Sequence, residues 1–152
     1  MTLAADAESA RDVGAGFDRF VNALPEHYAE ITALVAELYA ISSALRDLDI
    51  NIASREYGQR TTYILDDLDI VRLSLSMTMK DALELFGRLG DCGYPPTVGA
   101  YRQVWAVVCN HFRGESGNTL LARLERYRKF LLELSCIMRR LCSQPSYHIS
   151  GD

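Results

Sequence analysis

Apolar residues recur along this chain at the three- and four-residue steps of an α-helix, and the strict alternation that marks a strand is almost absent. Val13, Phe17, Phe20 and Leu24 form one stripe on a short first helix, which Gly14 and Gly16 weaken. Pro25 suits the first turn of a second helix, where its missing N–H would be unpaired anyway, and Glu26 complements the positive end of the helix dipole. Ile31, Leu34, Val35, Leu38, Ile41, Leu45 and Leu48 line one broad face of that helix, whose end is expected between Asp49 and Gly58.

The third segment is the longest. From about Thr62 to Leu89, positions Ile64, Leu68, Val71, Leu75, Thr78, Ala82, Leu85 and Leu89 alternate steps of four and three, a seven-residue repeat that faces partner helices along its length. Gly90 is expected to cap it in a left-handed conformation, and Pro95 and Pro96 cannot continue it. Thr97 can cap a fourth helix carrying Val98, Tyr101, Trp105, Val108 and Phe112. A fifth helix, starting near Ser116 or Asn118, carries Leu120, Leu124, Tyr127, Leu131, Leu134, Met138 and Leu141 before Pro145 stops it. Such faces must be hidden against one another. The expected fold is therefore all-α, an antiparallel four-helix bundle with an additional short N-terminal helix lying across it. Residues 1–12 are expected to be a mobile segment, 13–142 a single domain and 143–152 a loose tail.

Composition narrows the class. With 152 residues, 49% hydrophobic and 24% charged, one core can form without metal or disulfide. No run approaches the ~20 uninterrupted apolar residues of a membrane span, and the first residues lack a signal-peptide pattern. An intracellular protein is expected, cytoplasmic rather than nuclear. Cys92, Cys109, Cys136 and Cys142 form no C-x-x-C pair and read as thiols that fill space like small apolar groups. The net charge of −4 is uneven: residues 1–50 hold three basic and nine acidic side chains, residues 96–152 eight basic and four acidic. The simpler consequence is attraction between the two ends of one bundle; orientation of a partner is the other.

The third to fifth helices also resemble a helical domain found in many uncharacterised proteins of filamentous fungi. The resemblance is carried by Leu65-Asp66-Asp67-Leu68-Asp69-Ile70-Val71 with Leu73-Ser74-Leu75-Ser76, by Leu85-Phe86-Gly87, and by Tyr101-Arg102-Gln103-Val104-Trp105. Glu115-Ser116-Gly117-Asn118 leading to Arg123-Leu124-Glu125-Arg126-Tyr127 completes it. It implies a fungal, mainly helical module concerned with protein assembly, and it carries no active-site residue onto this chain.

Catalytic chemistry has little footing. His27, His111 and His148 have no second ligand at the i+4 spacing that puts two imidazoles on one face, and Cys109 and His111 point to nearly opposite sides of a helix. There is no phosphate-cradling loop, nucleophile elbow or EF-hand loop. No catalytic residue, metal or cofactor is expected. Asp66, Asp67 and Asp69 read as a solvated helix start rather than a cation site, because consecutive helical residues diverge. Arg123, Arg126, Arg128, Lys129, Arg139 and Arg140 disperse around the fifth helix; Arg123, Arg128 and Arg139 flank the apolar stripe and are expected to reach neighbouring carboxylates. Without an aromatic platform beside them, no nucleic-acid partner is expected.

One anomaly points to function. Tyr63, Ile70, Leu73 and Met77 make a second apolar stripe on the third helix, where Asp66, Lys80 and Glu84 mark the same side as solvent-facing. Either this stripe packs on the first helix, or it is an exposed surface for a protein partner or a second copy of the chain. The expected function is a non-catalytic interaction or self-association module. Two alternatives are a membrane-acting helical domain that frees residues 13–24, and a small apolar ligand held beside Trp105 and Tyr101.

Overall fold

The computed structural model describes residues 2–53, 62–91, 93–113 and 119–143, the side chains at 53, 62–64 and 141–143 excepted. Five helices pack together: α1 (Leu3–Ala23), α2 (Tyr28–Ala53), α3 (Thr62–Asp91), α4 (Val98–Arg113) and α5 (Leu120–Ser143). A single 3-10 turn at Pro25–His27 leads into α2, as the position of Pro25 requires. No strand occurs among the described residues.

The N-terminal expectation is corrected. Instead of a mobile segment and a short helix from Val13, α1 starts at Leu3 and runs for 21 residues. Thr2 Oγ1 caps it by accepting from the Ala5 N–H at 3.1 Å. Ala7 and Ala10 are fully buried, and Ser42 Oγ of α2 donates to the Ala7 carbonyl at 2.8 Å. Small side chains let the two backbones come close, so α1 lies lengthwise on α2 rather than across a bundle. Gly14 serves the same approach: a Cβ there would sit 3.0 Å from the Tyr39 ring. Gly16, read from sequence as a weak point, makes room for Phe86 of α3, whose ring would be 2.5 Å from an added Cβ.

Contacts give the helix directions. From Ala7–Ser42 to Gly14–Tyr39 the positions run oppositely, so α1 and α2 are antiparallel. From Asp6–Arg72 to Phe17–Phe86 they advance together, so α1 and α3 are parallel. Phe17–Trp105 and Phe20–Tyr101 set α4 antiparallel to α1, and Ser74–Tyr127 with Thr78–Arg123 set α5 antiparallel to α3. The Arg128 Nε to Glu37 Oε2 contact at 2.6 Å ties α5 to α2.

The buried stripes match the sequence pattern closely. Ile31, Leu34, Leu38, Ile41, Leu45 and Leu48 of α2 are buried, as are Leu68, Leu75, Thr78, Ala82, Leu85 and Leu89 of α3. On α5 the buried positions are Leu120, Leu124, Tyr127, Leu131, Leu134 and Met138. Pro25–Ile52 is long and apolar enough to cross a membrane by composition, with a mean hydropathy of 1.2 in its most apolar window. Of that window 39% is buried, on the face that packs against α1 and α5, and Ile50, off that face, is exposed. Three local readings change. Gly90 stays helical and the left-handed residue is Gly93, at φ 106°; Val98 is exposed while Ala100 and Val104 are buried; and the α5 cap is Thr119, whose Oγ1 accepts from the Ala122 N–H. The α5 starts proposed at Ser116 and Asn118 lie outside the described residues.

Candidate interaction surface

The orientation of α3 about its own axis decides what it presents to solvent. On the α1 side, Arg72 Nε lies 2.6 Å from Asp6 Oδ2, and the Asp6 side chain is 8% exposed. On the α5 side, Ser74 Oγ and Tyr127 Oη share a hydrogen bond of 2.6 Å, and Thr78 Oγ1 lies 3.2 Å from the same phenol. Thr78 also donates to the Ser74 carbonyl, so its hydroxyl stays satisfied at a buried position. The two sets of contacts clamp α3 from opposite flanks, with Leu68, Leu75 and Met79 pressed into the core between them.

The second stripe consequently points away from the bundle. Ile70, Leu73 and Met77 are 69%, 66% and 61% exposed, so of the two readings drawn from sequence, packing on the first helix does not hold for these three residues. Helical geometry gives the reason: at about 100° per residue, they fall opposite Leu75 and Met79. Tyr63 belongs to α3, but its side chain lies outside the described residues. Asp66, Lys80 and Glu84 share the outward face and are exposed. Asp67 is exposed as well, and Asp69 lies 3.8 Å from Arg72, so the acidic cluster points outward one turn into the helix.

The remaining candidate groups do not come together around the stripe. His111 Nε2 lies 3.2 Å from Asp81 Oδ2, while the His27 ring lies 5.6 Å from the Trp105 ring, tilted by 37°, and sits 3.8 Å from Glu30. His148 is outside the described residues. Among the described residues, no group of three His, Cys, Asp or Glu side chains is placed to hold a metal ion. Cys109 is half-buried and its thiol is pushed up by desolvation, then by the Glu30 carboxylate, against a smaller lowering from Arg113. Cys136 is exposed, which corrects its reading as a space-filling group; Cys92 is outside the described residues, and the Cys142 side chain is excepted with its neighbours.

Of the arginines expected to reach carboxylates, Arg128 does so at Glu37, whereas Arg123 lies 5.7 Å above the Phe112 ring and within 3.5 Å of Thr78 Oγ1. Arg139 is exposed. Arg102–Glu26 at 2.8 Å and Arg128–Glu37 join bases of the C-terminal part to acids of the N-terminal part, as the charge asymmetry suggested.

Trp105 and Tyr101 belong to an aromatic cluster. Phe17 meets Phe86 edge-on at 4.9 Å and Trp105 at 6.2 Å, and Phe20 meets Tyr101 at 5.1 Å. Beside Trp105 a cleft of about 340 Å³ is lined by Leu34, Val108, Cys109, Leu120 and Leu121, with Glu30 and Arg113 also at its wall. Sequence reasoning missed both the cleft and the Arg72–Asp6 clasp, since neither follows from one helix's own periodicity. Comparison with protein-family models, curated proteins and solved structures finds no match for this chain.

Proposed function

We propose that this chain is a non-catalytic helical protein-interaction module whose docking surface is the outer face of α3. The supporting framework is a bundle of four positions, three filled by α1, α2 and α3 and the fourth by α4 and α5 in succession. One observation carries the reading: Ile70, Leu73 and Met77 are each more than 60% exposed on a helix whose other flanks are clamped by Asp6 and Tyr127. A continuous apolar stripe at heptad steps on a rigid helix is the geometry that receives an amphipathic helix. Burying each such side chain contributes roughly 1.5–3 kcal/mol before association costs.

The membrane-acting alternative would have to release Phe17 and Phe20, which are fully buried. The resemblance to helical domains of filamentous-fungal proteins fits an assembly role but assigns no residue, and the reading does not rest on it. Titration with an amphipathic peptide carrying leucine at heptad spacing tests the surface directly. The parent should bind it saturably, and Ile70→Lys combined with Met77→Lys should weaken binding at least about tenfold with helical content unchanged. Equal binding by parent and double variant, or no binding by the parent, would overturn the proposal.

A further inference from the structure

The geometry points to a second copy of the chain as the occupant of this face, docked antiparallel about a two-fold axis beside Leu73. The inference rests on the reading of the outer α3 face as a docking surface, and charge placement carries it further. Asp66 and Lys80 lie on the stripe's own face, symmetrically seven residues to either side of Leu73, or about 10 Å each way along the helix. Both are exposed, and neither has an ion-pair partner among the described residues. On the α1 flank of the same helix Arg72 pairs with Asp6 and Asp69, and nearer its C-terminal end the His111 ring lies 3.2 Å from Asp81.

A two-fold rotation at Leu73 exchanges these positions. Asp66 then falls beside Lys80 of the partner subunit, and Lys80 beside Asp66 of the partner subunit. Ile70, three residues before the axis, comes within one residue's rise of Met77 of the partner subunit, four residues after it, and the two Leu73 side chains meet near the axis. A parallel pair in register would instead set Asp66 against Asp66 and Lys80 against Lys80. Of the two arrangements, the antiparallel one alone sets opposite charges together at Asp66 and Lys80, and self-complementarity of that kind is what a closed isologous dimer requires. One helix pair buries less than the roughly 1,200 Å² at the low end of stable interfaces, so association in the micromolar range is expected.

Sedimentation velocity of the full chain at low salt, over a range of micromolar concentrations, tests the arrangement. The parent should dimerise with concentration, and more weakly as salt screens the pairs. Asp66→Lys alone and Lys80→Glu alone should each weaken the dimer about tenfold, because two attractive pairs become repulsive, and the two together should restore it to within about threefold of the parent. A parent that remains monomeric at high micromolar concentration overturns the second copy as occupant. A dimer indifferent to either single reversal, or one that the double reversal fails to restore, overturns the antiparallel arrangement. Failure of the docking surface itself shows separately, in the peptide titration.

Discussion

Arg72 of α3 and Asp6 of α1 meet at 2.6 Å between Nε and Oδ2, with 21% and 8% of their side chains exposed. The contact joins the first turns of the fold to the helix that presents the candidate surface. A charge-assisted bond this sheltered is worth more than an ordinary surface ion pair. Asp6→Ala should therefore cost about 1–3 kcal/mol and lower the melting temperature by several degrees, with helical content retained. A variant that melts with the parent would show that α1 and α3 are held by their apolar contacts alone.

Leu73 and Leu75 are two residues apart and face opposite ways, at 66% and 1% exposure. Leu75→Asp should unfold the domain, because an unpaired charge in the core costs several kcal/mol against a total stability of about 5–15 kcal/mol. Leu73→Asp should leave the melting temperature within a few degrees of the parent. Circular dichroism melts of the two variants check the assignment of faces, and a reversed order would contradict it.

Gly16 and Gly87 make an internal comparison. Each lies within a helix, but an added Cβ at Gly16 would be 2.5 Å from the Phe86 ring, whereas nothing lies within 4 Å of one at Gly87. Gly87→Ala should stabilise by about 0.5–1 kcal/mol through helix propensity. Gly16→Ala should be net destabilising, since displacing a packed ring costs about 1–3 kcal/mol and outweighs the same gain. Chemical denaturation of both variants decides it; stabilisation at Gly16 would mean that Phe86 repacks freely.

Cys109 has its thiol pushed up by burial and by Glu30, so it stays protonated to higher pH than an ordinary thiol and reacts slowly as a nucleophile. Alkylation followed by mass mapping near pH 8 should label exposed Cys136 well before Cys109. Arg113→Ala removes the one lowering influence and should slow Cys109 further, while Glu30→Gln should speed it. Because the folded state disfavours the Cys109 thiolate, this group favours folding less as pH rises through the ordinary thiol range, and alkaline conditions should weaken the domain. Equal labelling of the two cysteines would place Cys109 in solvent.

The all-α class and most of the core positions were legible in the chain, because helical burial is written as local periodicity, whereas Met79, Ala100 and Val104 were not assigned and Val35, Val71 and Tyr101 are only partly buried. Leu68, Leu75, Ala82 and Leu89 could be assigned to one face from their spacing, and all are buried. The first turns of α1 were not legible. Ala7 and Ala10 carry no hydrophobic signal of their own, and their burial follows from close approach to α2, marked by the Ser42 bond. The roles of Gly14 and Gly16 depended likewise on Tyr39 and Phe86, side chains distant in sequence. For the candidate surface, sequence identified Ile70, Leu73 and Met77 as a second stripe but left open whether another helix covers them. Tertiary structure decided that point, because α1 and α5 grip α3 at Arg72 and at Ser74 and Thr78, on the flanks of its buried face. A helix's periodicity determines which residues share a face, and only the packing of its neighbours determines which of two apolar faces is turned outward.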